Sequence, residues 1–231
     1  MKINLHTHTI NSDGANGILQ MAQEAKKLGH CALCITDHSY GSQSPYSASK
    51  SEVEALNASQ QLPIPVIVGS EILTPFGEML LFGDEVNRNW ILYSYELEGF
   101  LDVNSEAYWK MFEKLVLQNS TRPSGEVSKS EFSKRKLNYA LILCHPRINL
   151  DLYKAYPNKM YELLHGYEIQ NGNTEYGKIA PLVCAYLKSK IKNCKEFRNS
   201  DAHHTLSLNG CANEINFVPE NETDLINWII N

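Results

Sequence analysis

The sequence has no apolar run long enough to span a bilayer, and its amino terminus enters a strand-like segment with no charged region followed by a long apolar one. The first absence excludes a bilayer-spanning helix, and together they set the expectation of a cytoplasmic protein with no membrane partner. A cationic excess is also missing. The formal net charge is −5, which removes the electrostatic basis for a general nucleic-acid-binding surface while leaving room for a local cationic pocket. The closely spaced cysteines of a disulfide framework are absent too. Cys31, Cys34, Cys144, Cys184, Cys194 and Cys211 lie mostly in apolar stretches, as expected in a reducing compartment. Cys31-x-x-Cys34 has the spacing of a redox or zinc pair, but positions three apart on a strand face opposite sides, so both read as small buried hydrophobes. Neither a repeat nor a linker divides the 231 residues, a length that fits one α/β domain over 1–231.

What the chain does have is a series of short apolar runs ending in metal-ligand residue types. Lys2-Ile-Asn-Leu runs into His6-Thr-His8, and on an extended chain these two imidazoles share a face and can share an ion. Ser12-Asp13-Gly14 is a turn. Ile18 to Leu28 has the spacing of an amphipathic helix stopped by Gly29, and Cys31–Ile35 is a buried strand ending in Thr36-Asp37-His38. Ser39–Ser49 reads as a loop and Glu52–Leu62 as a short helix. Pro65–Ile72 is a third strand with Glu71 near its end, and Glu78–Phe82 continues it or pairs back on it across the Pro75-Phe76-Gly77 turn. Between Trp90 and Arg135, Ser105–Leu117 has helical spacing and Gln118–Lys136 reads as a polar loop. Tyr139–Cys144 is a continuous apolar strand ending in His145-Pro146-Arg147. Gly166–Ile169 follows as a strand, Glu175–Lys190 as a helix, and Glu196–Ser200 leads into Asp201-Ala-His203-His204. A last strand, Glu214–Val218, and a helix from about Asn221 to Ile230 complete the chain.

His6, His8, Asp13, His38, Glu71, His145, Asp201 and His203 are all ligand types for borderline divalent metals. Hydrogen-bonded core histidines or helix caps account for any one of them, but not for their recurrence at strand ends along the whole chain. Ligand-type residues at the carboxyl ends of successive strands are also where parallel α/β sheets and barrels gather their chemistry.

In their order along the chain, His6-Thr-His8 with Ser12-Asp13-Gly14, Thr36-Asp37-His38, Glu71, His145-Pro146 and Ser200-Asp201-Ala-His203 resemble the motifs of the PHP (polymerase and histidinol phosphatase) superfamily. The resemblance implies a distorted seven-stranded (β/α) barrel of PHP type with two or three divalent ions, Zn, Mn or Fe, at its carboxyl-end mouth. It also implies that His6, His8, Glu71 and Asp201 hold one ion, with Glu71 bridging to a second that His145 binds, while Asp13, His38 and His203 hold a third. By the same resemblance Asp37 orients a ligand imidazole. The chain departs from the family at the second ion, where a further histidine is common. Glu78 stands in one of the two places and Gly99–Asp102 in the other, leaving either an oxygen ligand or extra water.

Clustered divalent ions acidify a water and neutralise phosphoryl oxygens. The expected activity is therefore hydrolysis of a phosphomonoester or phosphodiester by metal-activated hydroxide, with a small phosphorylated molecule or a short nucleic-acid end as partner. Arg147 is a candidate for a phosphate contact, with a surface salt bridge as the alternative; His204 is a candidate leaving-group acid, with a bystander beside a ligand as the alternative. The aromatic loops Tyr40–Tyr46 and Trp90–Tyr95 are candidates for lining the mouth. Two other readings fit parts of the pattern. A metal-dependent amidohydrolase also uses His-x-His at a barrel mouth, but with a carboxylated lysine or another histidine where this chain has Glu71. A non-catalytic, metal-stabilised regulatory module needs the ligands but no turnover.

Overall fold

The computed structural model describes residues 1–38, 46–74, 77–83, 139–146, 150–154, 158–173 and 181–231. The expected features at Trp90–Arg135, Tyr40–Pro45 and Arg147 fall outside these residues.

The chain has a mixed α/β fold built on two sheets. In the first, β1 (Lys2–Asn4) pairs in parallel with β2 (His30–Ile35), β2 pairs in parallel with β3 (Val66–Val68), and β9 (Asn213–Glu214) runs antiparallel to β1. The second has the order β4 (Ser70–Thr74), β5 (Gly77–Phe82), β6 (Ala140–Leu143), β7 (Gly166–Asn171), β8 (Lys195–Asn199). Here β5 is antiparallel to both neighbours, with Gly77–Phe82 paired back on the strand carrying Glu71, while β6, β7 and β8 run parallel. Isolated bridges join Thr7 to Ala202 and His38 to Glu71, so the two sheets meet where their ligand-type residues lie. Among the described residues the expected seven-stranded barrel is thus seen as two sheets, each with an antiparallel member.

Strand alternation explains the core. On β2, Ala32 and Cys34 point into a cluster shared with Leu80 and Phe82 of β5, Ala140 and Ile142 of β6, and Phe197 of β8. Leu33 and Ile35 point the other way, against α1 (Ile18–Lys27) and α2 (Tyr46–Gln61). Met79 and Leu81 alternate with Leu80 and Phe82, and Leu141 and Leu143 with Ala140 and Ile142, facing a third cluster under the helix Pro181–Lys190. Strands buried on both faces read as continuous apolar runs, which is the pattern of residues 140–143. The helix Glu222–Ile230, capped by Asn221 accepting from Asp224 N at 3.0 Å, closes the shared interior with Leu225, Ile226 and Ile229. Cys34 is buried in that interior and Cys31 is half-buried beside it; all six cysteines are free thiols, as the sequence suggests.

Several boundaries differ from expectation. The helix expected over Glu52–Leu62 already begins at Tyr46, so residues 46–49 are helical and not loop, and the strand expected over Pro65–Ile72 is divided at Gly69 into β3 and β4. The final strand is two residues rather than Glu214–Val218, because its register with β1 ends at Lys2: Ile215 N donates to Met1 O, and among the described residues no strand pairs with 216–218. The helix expected over Glu175–Lys190 is seen over Pro181–Lys190, and 174–180 fall outside the described residues. Leu150–Lys154 and Asn158–Leu163 form helices too short to show a period in the sequence. Among the described residues, no helix is long and apolar enough to cross a membrane.

Candidate metal centre

The His6-Thr-His8 segment is stitched between the sheets by its middle residue. Thr7 Oγ1 donates to Cys34 O at 2.5 Å, Thr36 N donates to Thr7 O at 2.8 Å, and on the other side His8 N donates to Ala202 O at 2.9 Å. With Thr7 turned toward β2, both imidazoles turn the opposite way and are fully buried. His6 Nε2 and His8 Nε2 come within 3.1 Å of each other. Glu71 Oε2 lies 3.3 Å from the first and 3.2 Å from the second, and Asp201 Oδ1 lies 3.4 and 3.3 Å from them. Four ligands held about 2.0–2.1 Å from a tetrahedral ion are separated by edges of about 3.3–3.4 Å. The His6–His8–Glu71 and His6–His8–Asp201 triangles therefore each have the dimensions of one face of a cation site.

Proton placement supports the same fit. His6 Nδ1 faces Glu168 Oε1 at 2.9 Å and must donate to it, which leaves the Nε2 lone pair aimed at two carboxylates and another imidazole. Such an arrangement is repulsive without a cation or extra protons. His8 Nδ1 is buried without a hydrogen-bond partner, 3.6 Å from Asp13 Oδ1.

Two further groups adjoin this one. Glu71 Oε1 accepts from His145 Nε2 at 3.1 Å, and Glu78 Oε2 lies 3.6 Å from the same nitrogen. On the other side, Asp13 Oδ2 lies 3.4 Å from His38 Nε2 and 3.3 Å from His203 Nε2, while His38 Nδ1 reaches back to Glu71 Oε2 at 3.0 Å. Glu71 thus touches four histidines with two oxygens. The sets His6–His8–Asp201, His8–Asp13–His38–His203 and His38–Glu71–Glu78 each bring ligand atoms close enough to hold an ion. Cys144 lies near His6, Glu71 and His145, but burial and then the Glu71 charge push its thiol well up, and it donates to Ile142 O as an ordinary S–H.

Two of these residues sit on strained backbone: His145 has φ 21° and Asp201 φ 50°, both in the left-handed region that side chains disfavour. Gly14 has its own necessity. A Cβ there would lie 2.6 Å from the His8 carbonyl carbon, so only glycine lets the Asp13 loop fold back over His8.

All eight sequence-predicted ligands converge. Of the other three candidates, Asp37 accepts from Thr9 N at 2.6 Å, Thr9 Oγ1 at 2.8 Å, Ser12 Oγ at 2.6 Å and Ser51 Oγ at 3.1 Å. It ties down the loop that carries Asp13 rather than bonding an imidazole. His204 is exposed at the start of a 3-10 turn, Thr205–Asn209. Arg147 lies outside the described residues. Sequence reasoning missed Glu168, wholly buried in β7, together with its partners Asn171 and Asn199. The available signal was a carboxylate in the middle of Gly-Tyr-Glu-Ile, an apolar strand.

Without ions, protons hold the cluster together. Burial alone would lower the His38 imidazolium, but bonds to Asp13 and Glu71 raise it to about 10. Burial opposes ionisation of Glu71, yet His6, His145 and His38 hold its carboxyl well below the usual range. The same balance, struck by His203 and His38, keeps Asp13 ionised. A raised histidine stabilises the fold fully below its unfolded value of 6.5 and loses that contribution as pH rises through its folded value. The chelated protein is therefore expected to melt at lower temperature as pH goes from about 6.5 to about 10. Saturating zinc is expected to flatten the trend by replacing the protons, and thermal scans at a series of pH values with and without zinc check both.

A family model for the PHP domain matches residues 4–197. The chain belongs to the PHP domain family. Solved structures agree in fold. PsfC from Pseudomonas syringae aligns with TM-score 0.55 at 16% identity, covering 97% of this chain and 87% of that one. A provisionally assigned metal-dependent phosphoesterase from Bifidobacterium adolescentis gives 0.51 at 17%, covering 87% of each chain. An amidohydrolase from Chromobacterium violaceum, solved with sulfate and no metal, gives 0.50 at 13%, covering 99% and 97%. No curated protein matches the sequence. Identities this low carry the fold and not the substrate. Family and site together support a metal-dependent hydrolase whose His, Asp and Glu clusters can hold divalent ions.

Proposed function

We propose that this PHP protein is a phosphoesterase using three divalent ions, Zn, Mn or Fe, to hydrolyse a small phosphorylated molecule or a short nucleic-acid end. The observation that carries the proposal is the contact of Glu71 with His6, His8, His38 and His145, which sets three donor groups side by side around one buried carboxylate. The fold is taken as a ring of seven strands, with β3 and β4 as one interrupted strand and the Thr7–Ala202 bridge as the closure. On this reading the ligand residues gather at one mouth of that ring.

His6, His8, Glu71 and Asp201 would hold the first ion; Glu71, Glu78 and His145 the second; Asp13, His38 and His203 the third. Bound ions would supply an acidified water and a positive clamp for the non-bridging phosphoryl oxygens. The protein's own part is to hold these ligands in place and to set which atom of each faces the ions. Glu168 fixes the His6 proton, Asp37 fixes the Asp13 loop, and exposed His204 is the group we assign to protonate the departing oxygen.

An amidohydrolase is the second reading, favoured by the Chromobacterium neighbour. Glu71 weighs against it, because that chemistry uses a carboxylated lysine or a further histidine there. Hydrolysis of an aryl phosphate is expected to disappear with a chelator and return with manganese or zinc. Turnover that survives chelation, or turnover of amides with none of phosphoesters, would overturn the proposal.

A further inference from the structure

Glu168 is fully buried, and all four groups that meet its carboxylate are donors. Oε1 accepts from His6 Nδ1 and from Asn199 Nδ2, each at 2.9 Å. Oε2 accepts from His145 N at 2.8 Å and Asn171 Nδ2 at 3.1 Å. Neither amide can turn round. Asn199 Oδ1 is occupied by Leu5 N and Asn213 Nδ2, and Asn171 Oδ1 by Asn173 N. An acceptor-only group is therefore required at 168, and an ionised carboxylate is the side chain that offers it.

The two oxygens serve two separate ligands. One fixes the proton of His6 on Nδ1, so that Nε2 presents its lone pair to Glu71, His8 and Asp201. The other grips the backbone N–H of His145, a residue held at φ 21° that would relax without a local restraint. Asn171 Nδ2 also donates to Asp201 Oδ2 at 3.2 Å, so the same network reaches the second strained ligand.

We infer that Glu168 is a positioning residue that selects which nitrogen of His6 faces the ions and clamps the strained His145 turn, linking two ion subsites through one carboxylate. This rests on reading the His6 cluster as an ion-holding site, and no substrate enters its test.

In Glu168→Gln the amide must turn its NH2 toward one pair of donors. The His145 N–H and the Asn171 amide cannot adapt, whereas on the other side only the Asn199 amide is fixed and His6 can move its proton to Nε2, the nitrogen needed for coordination. Zinc affinity, measured by competition with a chelator, is expected to fall by about 10–100-fold in Glu168→Gln. In a His6→Ala background the same change is expected to have much less effect, since its His6 target is gone and only the His145 clamp remains. The unaltered zinc-loaded protein provides a test that needs no variant: nitrogen NMR of ¹⁵N-histidine-labelled protein should show His6 protonated at Nδ1 and metal-bound through Nε2. Coordination through Nδ1, or undiminished zinc affinity in a folded Glu168→Gln protein, or an equal loss in the His6→Ala background, would overturn the inference. Failure of the unaltered protein to bind zinc or manganese would instead overturn the reading of the site itself.

Discussion

Glu71→Gln is expected to abolish full ion loading and to cut phosphoester turnover by roughly 10²–10⁴-fold, the equivalent of the ~3–5 kcal/mol typical for removing one partner of a buried charge cluster. The side chain is 1% exposed and its two oxygens contact ring nitrogens of four histidines, so no water can replace the lost charge. Glutamine keeps the volume but offers one oxygen and one NH2, and whichever way it turns, one group of imidazoles meets a donor. Metal analysis after gel filtration should show at least one ion fewer per chain. Full stoichiometry with turnover within a few-fold of the unaltered protein would remove Glu71 from the centre of the site. Lost stoichiometry with unchanged turnover would favour ions that stabilise rather than catalyse.

Phe82→Ala is expected to destabilise the protein by ~3–5 kcal/mol, the range for deleting a buried aromatic ring. Phe82 is wholly buried in the cluster that takes Ile3 and Ala32 from one sheet, Ile142 and Phe197 from the other, and Ile229 from the last helix. If residues 1–231 fold as one domain, the whole chain should melt earlier in a single urea transition, with tryptophan fluorescence and circular dichroism coinciding. Two separated transitions would show that the sheets unfold independently.

The convergence of the candidate ligands was legible in the sequence because its signal is local: His6, His8, His38 and His145 follow recognisable apolar runs and Asp201 a strand-like one, and ligand types are rare enough there to be informative. The strands were legible for a similar reason, since residues buried on both faces form runs such as Ala140–Leu143 that need no partner to be recognised. Glu168 and the true partners of Asp37 were not. Their roles depend on Asn199, Asn171, Ser12 and Ser51, which are common polar residues whose meaning comes from being brought together. The end of β9 was hidden too, because it is fixed by where β1 stops rather than by anything in Ile215–Val218. Glu78 lies between these cases: the sequence shows a carboxylate where the family pattern has a histidine, and the fold sets it 3.6 Å from His145.

The stitching of the His-Thr-His segment to Ala202 also has a meaning in time. Asn4 Nδ2 donates to Ser200 Oγ across a separation of 196 residues, and neighbouring bonds join Leu5 to Asn199 and His8 to Ala202. At a synthesis rate of ~5–20 residues per second, His6 and His8 wait roughly 10–40 s for the residues that complete their surroundings. During that interval the pair has at most Glu71 of its buried acids, because Asp201 arrives with the closing segment. The candidate site is thus completed late, by the same long-range bonds that close the fold on residues 199–202.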